Sequence, residues 1–239
     1  MQRISFILAA CLILNSAMAQ TVVHDANARS RTVGEFHAIH VSAGIHVYFT
    51  QGNERAVAVS AADPDVRDKI RTEVVDGVLK IYYDSDDWKF WKDNDRRRDA
   101  KAYVSNPKLD GIKAASGSNF EVDGMLKSGN LAMSLSSGAH FNGKVEVGEL
   151  SVDGSSGAHG SISGTASSLK VETSSGSHVD AFDLQTDNCD ARTSSGAHVD
   201  ITVRKELSVS ASSGGHVYYK GDGVIRNVNT SSGGGVSRK

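Results

Sequence analysis

Apolar and polar residues alternate through most of this chain, and one tripeptide punctuates the alternation. Ser-Ser-Gly, or a near match, recurs with its Gly at 117, 138, 157, 176, 196, 214 and 233, at spacings of 21, 19, 19, 20, 18 and 19 residues. Aligned on that Gly, Leu131, Leu150, Leu169, Cys189 and Leu207 fall seven residues before it. Ile112, Met133, Val152, Val171, Ala191, Val209 and Val228 fall five before it, and Phe120, Phe141, Gly160, Val179, Val199, Val217 and Val236 three after it. A period of two on both sides of a small-residue corner reads as β-strand.

A unit of about 19 residues without a helical stretch predicts one coil of a parallel β-helix. Each coil has room for about three strands of four to five residues plus corners. Leucine-rich repeats are of similar length, but their Leu/Asn consensus is absent. Stacked coils, about 4.8 Å apart, would turn the aligned apolar positions into columns through the core. The corner Gly would supply either a positive φ or close packing. Cys189 stands in the Leu column and is expected to be a buried structural residue.

The first half is β-rich but less regular. Phe36–Val41, Gly44–Thr50, Ala56–Ser60, Leu79–Tyr83 and Lys101–Val104 alternate. Asp63-Pro64 predicts a short helical turn to Ile70, with Asp as N-cap and Pro at the first helical position. Asp76-Gly77 between Val75 and Val78 predicts a hairpin. The segment Ser42-Ala43-Gly44-Ile45-His46-Val47-Tyr48-Phe49 mirrors Ser212-Ser213-Gly214-Gly215-His216-Val217-Tyr218-Tyr219. It reads as an early coil of the same solenoid, separated from the rest by an insertion. That elaborated end is also expected to cap the apolar column, as a solenoid requires.

Composition divides the chain at the same place. Ser and Gly make up 45 of the residues from 111 to 239 and only 11 of those from 1 to 110. Residues 1–19 read as a signal peptide: Arg3, the apolar run Ile4–Leu14, and Ala17-Met18-Ala19 as the cleavage site. The apolar run is too short to span a membrane. Lipoprotein processing at Leu8-Ala9-Ala10-Cys11 is a weaker alternative, because the apolar run continues past that box. The expected organisation is a signal peptide (1–19), an N-terminal leader (20–34) and one solenoid domain (35–239), irregular over 35–110 and regular over 111–239. After signal removal only Cys189 remains, so no internal disulfide forms. No other segment can cross a membrane as a helix. The formal charge of −2 argues against a nucleic-acid partner.

Three features together resemble a known family. They are the opening Phe36–Phe49 (F-x-x-I-x-V-x-x-G-I-x-V-x-F), the turn Val75–Tyr83 (V-D-G-x-L-K-I-Y-Y) and the Gly117–Gly233 series. The pattern resembles the putative auto-transporter adhesin family with the head GIN domain, found in Gram-negative envelope proteins. The resemblance runs from Glu35 to the C-terminus. It implies a right-handed parallel β-helix and export to the periplasm or outer cell surface, and it brings no catalytic residue with it. Where such repeats often read Ser-Gly-Ser-Gly, this chain places His.

Two residues after the corner Gly stand His140, His159, His178, His198 and His216, and His46 is a candidate for the same column. Their register opposes the apolar positions, so they should face outward as a ladder. Asp180 and Asp200 lie on the same side. His159, His178, His198, Asp180 and Asp200 are therefore candidate ligands for a divalent metal such as zinc or copper. The alternative is a surface ladder that stacks like side chains between coils, and a flat ladder does not converge four ligands. No other cofactor is implied.

Asp84–Ala100 holds Trp88 and Trp91 among six acids and five bases. Such aromatics are candidates for gripping a glycan or an envelope protein; alternatively they pack back on the solenoid. There is no P-loop, G-x-S-x-G, H-E-x-x-H or Cys-x-x-Cys motif. The reading is an exported, non-enzymatic solenoid with an adhesive or envelope-binding surface. The alternatives are a periplasmic metal-binding protein and a carbohydrate-active β-helix enzyme.

Overall fold

The computed structural model describes residues 25–84 and 99–239. The expected signal peptide and the residues Trp88 and Trp91 lie outside these. Among these residues sixteen strands join in one sheet that winds into a β-solenoid of about seven turns. The regular coils are carried by β9 (Asn119–Leu135), β10 (His140–Gly154), β11 (His159–Thr173), β12 (His178–Thr193) and β13 (His198–Ala211). The last turns follow in β14 (His216–Lys220), β15 (Val224–Thr230) and β16 (Gly235–Arg238). Each regular coil is one long strand, not the three short ones the repeat length predicts. Parallel hydrogen bonding continues through its soft bends, with register breaks only around positions such as Ser161/Gly164 and Ala181/Gln185.

The tight corner lies between strands. Ser155 through Ala158 form a turn in which Ser156 (φ 52°) and Gly157 (φ 70°) are both left-handed and the Ala158 amide donates to the Ser155 carbonyl at 3.1 Å. Two consecutive positive φ values are those of a type I′ turn. The same pair recurs at every corner, beginning with Ala43 and Gly44 in the early coil. A side chain added at Gly157 would meet nothing within 4 Å, so the corner uses glycine for its φ and not for close packing. Coils are stapled there: the Gly138 amide donates to the Ser156 carbonyl at 3.0 Å, and the Gly157 amide to that of Ser175 at 3.0 Å.

The columns form as expected. Leu131, Leu150, Leu169, Cys189 and Leu207 are in register and buried. Burying each Leu is worth about 1.5–3 kcal/mol relative to leaving it exposed. Phe49, Phe120 and Phe141 stack in turn at 6.1 and 6.0 Å between ring centres.

The early coil, β2 (Ala38–Val41) and β3 (His46–Gln51), stacks directly on β8 (Gly111–Ala114) and β9. The insertion between them folds back over the other side of that coil. There β6 (Val78–Tyr83) pairs with β2, and β7 (Lys101–Asn106) with β3, both in parallel. Beyond these edges the strands turn antiparallel. β5 (Ile70–Val75) pairs with β6 through the Asp76-Gly77 turn, and β4 (Ala56–Ser60) pairs with β7. β1 (Arg29–Arg31) adds to β4, so part of the expected leader belongs to the sheet.

The helix α1 (Pro64–Lys69) joins β4 on one wall to β5 on the other and so crosses the end of the core. Asp63 caps it, accepting from the Asp65 amide at 2.9 Å, and Val66, on the inner side of the helix, is buried in the core. This is the cap the sequence calls for. At the other end the columns run out to solvent: Ile225 and Val228, in register with Leu207 and Val209, are exposed.

Candidate functional site

The parallel register assembles a single outward column from residues spread over more than 150 positions. In order along the solenoid it reads Lys101, His46, Asn119, His140, His159, His178, His198, His216 and Gly235. His46 belongs to it, as expected, and lies between Lys101 and Asn119. His140 is exposed and the other imidazoles are half-exposed, because their neighbours three residues after the corner Gly point into the core. Ring centres are separated by 6.0 Å for His140–His159, 4.9 Å for His159–His178, 6.3 Å for His178–His198 and 5.7 Å for His198–His216. The first pair is tilted, the next two meet edge to face and the last is stacked, edge and stacked contacts both being favoured by aromatic quadrupoles.

The second outward column, two residues further on, runs Tyr103, Tyr48, Glu121, Asn142, Ser161, Asp180, Asp200 and Tyr218. Its carboxylates pair across coils. His178 Nε2 lies 3.0 Å from Asp200 Oδ2 in the next coil, so Asp200 serves His178 and not its own neighbour His198. Asp180 Oδ1 accepts instead from the Phe182 amide of its own strand at 3.2 Å. His46 Nε2 lies 3.3 Å from Glu121 Oε2.

Burial, with the neighbouring His178 and His140 as potential like charges, holds His159 below the ordinary imidazole range, against a pull from Asp180. Burial and Lys101 do the same to His46, where Glu121 opposes them. Among the described residues no group of three or more His, Cys, Asp or Glu side chains is placed to hold a metal ion. His159, His178, His198, Asp180 and Asp200 share one face but form a line, so the geometry lends the divalent-metal reading no support.

Trp88 and Trp91 lie outside the described residues. The described residues that flank them in the sequence, Asp84 on one side and Asp99 and Ala100 on the other, stand where other coils have their Ser-Gly corner: the Ser42 amide donates to Ile81 at 3.2 Å and the His46 amide to Ala100 at 3.0 Å. Sequence reasoning missed one feature on this face. Tyr48 and Tyr103 stack at 5.5 Å, and His46 stacks on Tyr48 at 4.1 Å. Tyr103 comes from the insertion, and only the tertiary register brings it beside Tyr48.

The family profile of the putative auto-transporter adhesin, head GIN domain, matches residues 35–223. The chain belongs to this family. Solved structures with the same fold include a putative adhesin from Bacteroides fragilis, 18% identical, with a TM-score of 0.77 over 88% of this chain and 95% of that one. A putative lipid binding protein from Parabacteroides distasonis is 17% identical, with a TM-score of 0.69 over 89% of this chain and 96% of that one. A putative adhesin from the same species is 16% identical, with a TM-score of 0.69 over the same shares. No curated protein matches this head GIN domain chain.

Proposed function

We propose that this head GIN domain protein is exported and acts without catalysis, presenting the histidine-bearing face of its solenoid to a partner on the cell envelope. One observation supports this most directly: five consecutive coils place an imidazole at the same outward position of one parallel sheet. A solenoid face of this kind offers a long, regular, shallow surface, suited to an extended partner. The proposed surface includes Trp88 and Trp91, which lie in the sequence between Asp84 and Asp99. The partner is a glycan or an envelope protein.

Binding of the mature chain to outer-membrane vesicles tests the reading. Saturable retention is expected, and replacing His140, His159, His178, His198 and His216 together by Ser should weaken it at least about tenfold while the melting curve stays close to wild type. No retention, or retention indifferent to the five substitutions, overturns it. Export is tested separately by fractionation, which should place the protein outside the cytoplasm.

A further inference from the structure

A cavity of about 670 Å³ opens on the outward face of β3, β7 and β9, at the capped end of the solenoid. Its floor is the stacked ring pair Tyr48 and Tyr103, and its walls carry three carboxylates, Asp25, Glu121 and Asp123. No Lys or Arg is among the described residues that line it. Its groups are held in place. Tyr103 Oη donates to Asp25 Oδ2 at 2.9 Å, and Tyr48 is fixed between Tyr103 and His46. Burial and the hydrogen bond to Asp25 push the Tyr103 phenol up to about 12, so it stays a neutral donor. Hydrogen bonds from Ser60, the Asn27 amide and Tyr103 outweigh burial at Asp25 and keep it ionised. Lys101 stands just outside, on the strand that carries Tyr103, and faces the ladder.

We propose that this cavity binds a ligand bearing an ammonium group, seated against the Tyr103 end of the Tyr48–Tyr103 stack and among the carboxylates of Asp25, Glu121 and Asp123. The chemistry selects the charge. Aromatic faces carry negative quadrupole potential and attract cations. Three carboxylates around one cavity repel an anion, and a neutral body of the same shape would partly desolvate them without a counter-charge. The volume suits a ligand of one or two sugar units or a lipid headgroup. Both sources of ammonium, an amino sugar and an amine headgroup, share this recognition. The inference goes beyond the reading above, because it stands on the tyrosine pair and not on the histidine column.

Calorimetric titration of the mature chain at pH 6.5 with glucosamine, choline, glucose and N-acetylglucosamine tests it. At least one of the two cationic probes should bind saturably, at least about tenfold tighter than either neutral sugar, and which one binds names the source. Tyr48→Ala should abolish that binding, and Asp123→Asn, at an exposed position, should weaken it several-fold without affecting the fold. Equal affinity for glucose and glucosamine, no binding of either cation at millimolar concentration, or unchanged binding in Asp123→Asn and Tyr48→Ala overturns the proposal. The Ser-substituted ladder variant should bind the cation as wild type does, so failure here and failure of vesicle retention are read separately.

Discussion

The amide of Gly157 donates to the carbonyl oxygen of Ser175 in the next coil at 3.0 Å, and both residues are left-handed, at φ 70° and 52°. The corner is therefore a stack of type I′ turns joined rung to rung, and it needs two positive φ values where the tripeptide pattern advertises one glycine.

Gly176→Val is expected to destabilise by more than about 2 kcal/mol, since a β-branched residue at φ 70° is strained although the space is open. Ser174→Ala should fall within about 0.5 kcal/mol of wild type. Ser175→Gly should be neutral or slightly stabilising, relieved φ strain offsetting unfolded-chain entropy. Chemical denaturation of the three variants checks the order; equal midpoints for Gly176→Val and Ser174→Ala would contradict the turn assignment.

Gly164 belongs to a different class. A Cβ there would collide with the Val145 carbonyl oxygen, and its φ is 108°. Gly164→Ala should therefore cost more than Gly157→Ala, by about 1 kcal/mol or more. The comparison separates close approach from turn strain, and thermal melts of the two Ala variants suffice.

Cys189 is buried in the Leu column, and burial pushes its thiol far above the ordinary range. Cys189→Ser should destabilise by about 1–3 kcal/mol through an underpaired hydroxyl. The native thiol should resist a bulky alkylating reagent and react only on unfolding. Labelling at the rate of a free thiol would show that the column is open.

The cap depends on α1. Asp63→Ala removes the acceptor for the Asp65 amide and should cost about 1 kcal/mol. Val66→Ala, on the buried side of the helix, should cost about 2 kcal/mol. Hydrogen exchange should locate the loosening in β4, β5 and β6, with the distant β12 and β13 still protected. Uniform loosening would mean that the cap and the coils unfold as one unit.

Stability should fall on acidification through the histidines. Burial comes first among the causes that hold His40, His46 and His159 below the ordinary value near 6.5. The unfolded chain therefore takes up the proton first as pH falls. The stability these groups contribute is fully present above about pH 6.5 and is lost as pH drops through that value toward their folded-state pKa values. Melting temperature should decline from pH 7.5 to 5, and the decline should shrink in a His46→Asn, His159→Asn double variant. An unchanged slope would remove these residues from the acid response.

Much of this protein is legible in its sequence because a stacked coil converts local periodicity directly into structure. The alternation around Gly157 fixes which side of the strand His159 occupies, and the repeat fixes that Leu169, Cys189 and Leu207 share a column. The Asp63-Pro64 start of α1 and the Asp76-Gly77 hairpin are equally local, since a cap or a tight turn is specified by adjacent residues. What the repeat does not contain is the order in which coils stack when the chain departs from it. The insertion from Gly52 to Asp110 folds back beyond the early coil, and that choice alone sets Tyr103 on Tyr48, brings Asp25 against Tyr103 and opens the cavity beside Glu121. The diagonal pairing of His178 with Asp200 is likewise a matter of coil-to-coil register and side-chain reach. Sequence determines the faces because side-chain direction is a property of the strand. Only the tertiary structure decides the neighbours across faces, because long-range pairing depends on which edges remain free and which apolar end must be covered.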